Sequence, residues 1–145
     1  MADEKLTYGG LADRLKGIVS VYKICKELNL NFKINFTYPF ELHEYLIPNV
    51  YDWKISRNEI YYNKKYSKPC FIPYRYGFFA RRFFAGNYKQ IHIYTNMSTV
   101  EKEFSILFYE LFKIHPFLQT QINTNINLIG CVYISVAFRF LQLLG

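Results

Sequence analysis

Tyr8-Gly9-Gly10-Leu11-Ala12-Asp13-Arg14-Leu15 is the stretch from which the architecture of this chain is read. Two glycines feed a run in which Leu11, Leu15, Ile18, Tyr22 and Cys25 recur in steps of four and three. That spacing puts them on one face of a helix over 11–28, with Asp13, Lys16, Ser20, Lys23 and Glu27 on the wet side and Asn29 as a stop. A glycine pair before a helix lets backbone N–H groups come close to a ligand, and the helix dipole favours an anion there. Arg14, one turn in, adds a guanidinium able to make paired hydrogen bonds. Gly9, Gly10, Asp13 and Arg14 are therefore candidate binding residues, suited to a phosphate or a sugar hydroxyl.

Moving outward, Lys5 to Tyr8 reads as the end of a short strand entering the turn. Asn31 to Phe36 alternates, with Phe32, Ile34 and Phe36 on one face and Lys33 and Asn35 on the other, which predicts a strand. Strand, glycine loop, helix and strand make a βαβ unit, so an α/β fold with a parallel sheet flanked by helices is expected. Pro39 interrupts; Phe40 to Leu46 has room for one or two helical turns before Pro48. From 51 to 89 no period persists. This stretch is dense in aromatic and cationic residues and reads as an irregular insertion with short strands.

Regularity returns with a strand over Gln90–Thr95. Ser98-Thr99-Val100-Glu101 has the form of a capping box, followed by an apolar stripe of Val100, Phe104, Leu107, Phe108 and Leu111. Pro116 suits the first turn of another helix, with Leu118, Ile122, Ile126 and Ile129 as its stripe and Gly130 as its end. Cys131 to Phe138 is nearly unbroken apolar sequence with Val132, Ile134 and Val136, the pattern of a central parallel strand. Arg139 follows at its carboxyl end, where open α/β sheets bind ligands.

A chain of 145 residues fits one domain, 1–145, able to bury a substantial core. Its net charge of +7 favours anionic partners. Cys25, Cys70 and Cys131 are odd in number and widely spaced, which argues against a disulfide framework or a zinc site and predicts a cytoplasmic setting. The charged N-terminus predicts no signal peptide, and no apolar run reaches the ~20 residues of a membrane span. Phe140-Leu141-Gln142-Leu143-Leu144-Gly145 leaves large apolar residues directly after a buried strand. The expectation is that a further C-terminal domain or a homo-oligomer covers them.

Gly9-Gly10-Leu11-Ala12-Asp13-Arg14-Leu15-Lys16-Gly17-Ile18 resembles the N-terminal motif of the fucosyltransferase-like glycosyltransferases: the α-1,2-, α-1,6- and protein O-fucosyltransferases. Ile134-Ser135-Val136-Ala137-Phe138-Arg139-Phe140 is similar to the strand that carries their second motif, departing from it at Ala137 and Phe140. The resemblance implies the N-terminal, acceptor-side half of a GT-B-like architecture with Rossmann-like domains, the donor-binding half being absent from this sequence. It implies inverting, metal-independent transfer of fucose from GDP-fucose to a glycan hydroxyl, with no cofactor. Arg139 matches the arginine that binds the donor β-phosphate, stabilising charge as the nucleotide departs. Gly9, Gly10, Asp13 and Arg14 would lie across the cleft, near fucose and acceptor.

His43, His92 and His115 are scattered and read as surface or packing residues. Glu41, Glu44 and Asp52 are candidates for a general base, with solvated or capping roles the simpler reading. The basic aromatic segment from Trp53 to Lys89 suits packing or an acceptor surface. Nucleic acid is the less favoured partner, since no RNP-type, KH or zinc-finger signature is present. Two alternatives to the enzyme are a basic α/β nucleic-acid-binding module and a non-functional truncated product.

Overall fold

The computed structural model describes residues 10–98, 100 and 102–130. It is a small mixed α/β domain. In chain order it comprises α1 (Leu11–Glu27), β1 (Leu46–Pro48), β2 (Ser67–Ile72), β3 (Gln90–Thr95), α2 (Phe104–Leu111), β4 (Phe112–Ile114) and α3 (Pro116–Ile129). Three 3-10 segments, Leu42–Glu44, Arg57–Glu59 and Tyr74–Phe84, fill the connections.

Helix α1 forms where its periodicity places it, and Asn29 follows with a positive φ of 53°. Its buried face is wider than one stripe. Gly17, Val19, Ser20, Val21, Tyr22, Ile24 and Cys25 are all buried, so α1 is covered on more than one side. Ser20 is a correction: it is fully buried rather than on the wet face, its hydroxyl donating to Met97 O at 3.3 Å. That bond satisfies a polar group that would otherwise be costly to bury.

The parallel pairing seen among the described residues lies outside the expected βαβ unit. Lys5–Tyr8 and Gly9 lie outside the described residues. Residues 31–36 keep the predicted alternation, Phe32 and Ile34 being buried and Lys33 and Asn35 exposed, but they form no ladder among the described residues. Ile34 N–H bonds Trp53 O at 2.9 Å and Phe32 N–H bonds the Tyr51 hydroxyl at 2.7 Å, so this extended segment is tied down singly. The parallel pair is instead β2 with β3, in register from Ser67↔Gln90 to Ile72↔Thr95. β2 lies inside the stretch expected to be an irregular insertion with short strands. Pro69 is accommodated because its missing donor faces away from β3. Residues 73–89 supply the long crossover that parallel strands require.

A second, antiparallel pair joins β1 to β4, Leu46↔Ile114 through Pro48↔Phe112. The zipper continues past it: Val50 and Tyr51 N–H both bond Glu110 O, and the Trp53 indole donates to Leu111 O at 2.8 Å. Helix α2 begins at Phe104 with Glu103 at its N-cap, later than the Ser98 box predicts, and Glu101 lies outside the described residues. Its apolar stripe is as expected, with Leu107 and Leu111 buried. Helix α3 starts on Pro116 and stops at Gly130, whose φ is 88°. His115 caps it, Nδ1 accepting from Phe117 N at 3.2 Å. The stripe of α3 stays largely uncovered among the described residues, with Ile126 and Ile129 exposed.

Cys25 and Cys70 are free thiols in the core. Burial pushes Cys25 up to about 11 and raises Cys70 as well. Because thiolate is the nucleophile, Cys25 is expected to alkylate about 100-fold more slowly at pH 8 in the folded chain than in urea. Peptide mapping after a timed iodoacetamide pulse measures this; rapid labelling of native Cys25 would contradict the buried face of α1.

Candidate functional site

Helix α1 is fixed to the carboxyl ends of the parallel pair. Thr95, the last residue of β3, donates its hydroxyl to Ile72 O at 2.7 Å and accepts from Met97 N–H at 3.0 Å. The ends of β2 and β3 are thereby tied to each other. Gly17 packs directly on this junction: a Cβ there would lie 2.6 Å from Thr95 O. The side of the sheet where α/β folds bind ligands thus carries α1.

At the start of α1, Gly10 is the N-cap, with φ −57° and ψ 163°. Any residue adopts that conformation, so no unusual backbone requires a glycine. What the missing side chain provides is space: a Cβ at Gly10 would meet nothing within 4 Å. The first helical bond runs from Arg14 N–H to Gly10 O at 3.2 Å. The amides of 11–13 precede it and have no partner within the helix. Asp13 is exposed in this first turn, where its charge suits the dipole.

Arg14 is half-buried and held in place. Its Nη1 donates to Tyr38 O at 2.6 Å, and its guanidinium carbon sits 5.5 Å from the centre of the Phe36 ring. The loop that receives it is braced by ring contacts, Phe36 to Phe40 at 5.5 Å and Phe40 to Tyr45 at 5.0 Å, and by Leu42 N–H to Phe36 O. A planar guanidinium fixed this way loses little further freedom on binding an anion. Arg139 and Gly9 lie outside the described residues, as does the strand expected over Cys131–Phe138. The structure brings together Gly10, Asp13 and Arg14.

The remaining candidates are dispersed. Glu41 lies 3.7 Å from both His43 Nδ1 and Arg57 Nη2, Asp52 accepts from Lys54 N–H at 3.2 Å, and Glu44 is exposed. His92 approaches Gln90 Oε1 at 3.2 Å and meets the Tyr62 ring edge-on. Among the described residues no group of three or more His, Cys, Asp or Glu could hold a metal ion. Nor is any described helix long and apolar enough to cross a membrane.

One charged cluster escaped the sequence reading. Glu110 accepts two bonds from Lys26 Nζ, at 2.8 and 2.7 Å, and one from the Tyr22 hydroxyl at 3.0 Å. Lys26 holds the Glu110 carboxyl below its ordinary range, whereas burial and then Glu110 push Tyr22 up to about 12. Lys23 pairs with Glu103 alongside. The cluster clamps α1 to α2. Its signal was a cation pair, 23 and 26, on one helix and carboxylates 103 and 110 at and within the other, visible only once the two helices are known to pack.

No protein-family model matches the chain, and comparison with curated proteins and with solved structures gives no match.

Proposed function

We propose that this chain is the N-terminal, acceptor-side domain of a fucosyltransferase-like glycosyltransferase, with a Rossmann-like sheet forming half of a GT-B-like architecture. It transfers fucose from GDP-fucose to a glycan hydroxyl in the cytoplasm, without metal or cofactor. The donor nucleotide is held mainly by a second half, in a further domain or a partner subunit. The observation that carries this reading is Arg14, the arginine of the glycine-glycine motif. It is fixed at the start of α1 by Tyr38 O and the Phe36 ring, on a helix seated at the carboxyl ends of a parallel pair. In this reading Gly10 leaves room for the substrate, Arg14 orients it and Asp13 bonds a sugar hydroxyl. Arg139 stabilises the charge that develops on the β-phosphate as the bond to fucose breaks.

The test is transfer of labelled fucose from GDP-fucose to a glycan pool by the full-length gene product. Arg14→Ala and Arg139→Ala are each expected to lower kcat/KM at least tenfold, the ~1.4 kcal/mol or more that a charge-assisted hydrogen bond supplies. Normal transfer by either variant removes that residue from the site. Absence of fucose transfer by the wild-type product removes the reading.

A further inference from the structure

Residues 60–100 contain seven Lys and Arg and not one Asp or Glu. The remaining eleven cations of the chain are matched by eleven carboxylates, so the whole +7 resides in this segment. It is the segment that builds β2, β3 and the crossover between them.

Within it, lysines converge on tyrosines. Lys65 and Lys89 both lie over the Tyr66 ring, at 5.6 and 5.0 Å from its centre, and Lys89 also reaches Tyr61 at 5.6 Å. Lys68 stands 5.9 Å over Tyr88. These positions are set by the backbone: Lys89 and Gln90 N–H both bond Tyr66 O, at 2.9 and 3.1 Å, where the β2–β3 register begins. Among the described residues, none of Lys65, Lys68 or Lys89 pairs with a carboxylate. The ring quadrupoles offset part of the mutual repulsion, but gathered like charges without counter-charge still attract an anion.

We propose that the surface centred on Tyr66, formed by Lys65, Lys68, Lys89, Tyr61 and Tyr88, binds an acidic oligosaccharide bearing carboxylate or sulfate groups. The ammonium groups sit over ring faces that a run of bases would need for stacking. What remains for a ligand is a set of ammonium and hydroxyl donors, which matches a polyhydroxylated anion. The choice of sugar over base also leans on the glycan-transfer reading; the placement of charge does not.

The experiment is fluorescence anisotropy of the full chain with three labelled probes: a sulfated heparin-type hexasaccharide, a neutral malto-hexasaccharide and an oligo-uridylate of equal charge. The sulfated probe is expected to bind at least tenfold more tightly than the neutral one. With three charges engaged, its affinity is expected to fall roughly 20-fold between 50 and 200 mM salt. Replacing all three lysines (Lys65→Gln, Lys68→Gln, Lys89→Gln) is expected to cost at least tenfold. A control losing equal charge elsewhere (Lys54→Gln, Arg57→Gln, Lys113→Gln) is expected to lose less than threefold. Equal losses in the two variants, equal binding of neutral and sulfated probes, or no sulfated-probe binding at 50 mM salt would overturn the proposal. Tighter binding of oligo-uridylate would overturn it in favour of nucleic acid. Fucose transfer is read separately, so either reading can fail while the other stands.

Discussion

Replacing Trp53 with alanine is expected to lower the unfolding free energy by about 3–5 kcal/mol, the range for deleting a large core aromatic. Trp53 is 2% exposed and packs edge-on against Phe112 at 5.5 Å. Its indole N–H satisfies Leu111 O, and its own carbonyl accepts from Ile34 N–H. The residue therefore ties the extended 31–36 segment, through its carbonyl, to the junction of α2 and β4, through its side chain. Domains of this size have roughly 5–15 kcal/mol in hand, so the variant is expected to be marginal at 37 °C. Trp53→Phe separates the contributions: it keeps most of the ring contact and removes the indole donor, while Leu111 O still accepts from Asn49 N–H at 3.1 Å, costing about 0.5–1.5 kcal/mol. Urea titration followed by circular dichroism measures both; fluorescence does not serve, because Trp53 is the only tryptophan. A loss below 1 kcal/mol for Trp53→Ala would show that this junction is not core.

The sequence made α1, β3 and α3 legible because each carries its own punctuation. The apolar period and Asn29 define α1, while Pro116 and Gly130 bracket α3. The faces of residues 31–36 were equally legible, since alternation records burial; ladder partners are not encoded in alternation, and among the described residues there are none. A short strand was expected within 51–89, but β2 could not be placed there because no clean period marks it. The start of α2 was misplaced because Ser98-x-x-Glu101 is a local pattern and the chain makes a further turn at Val100–Glu103 before the helix begins. Of the candidate site, Gly10, Asp13 and Arg14 could be named from the motif. Tyr38 O and the Phe36 ring, which hold Arg14, could not: they lie 24 and 22 residues away in a loop without a motif. Backbone acceptors and ring faces leave no trace in residue identity.

Gly17 is where stability and the site meet. An alanine there gains about 1 kcal/mol of helix propensity. Its Cβ would nevertheless stand 2.6 Å from Thr95 O and 3.3 Å from Thr95 C, both backbone atoms of β3. No rotamer relieves such a contact, so the helix must lift from the sheet end. Overpacking of this kind costs about 1–3 kcal/mol, outweighing the propensity gain, and Gly17→Val is expected to exceed it because a branched side chain meets the same wall. A lifted α1 also strains Ser20 Oγ to Met97 O and Arg14 Nη1 to Tyr38 O, the bonds nearest the contact on either side along the helix. Gly17→Ala is therefore expected to lower the urea midpoint and to speed hydrogen exchange at the Met97 amide, which bonds Thr95 Oγ1. On the proposed function it is also expected to weaken fucose transfer, through the displacement of Arg14. Valine at 17 without loss of stability would mean that α1 does not cross the end of β3 here, and Arg14 would lose the support that fixes its position.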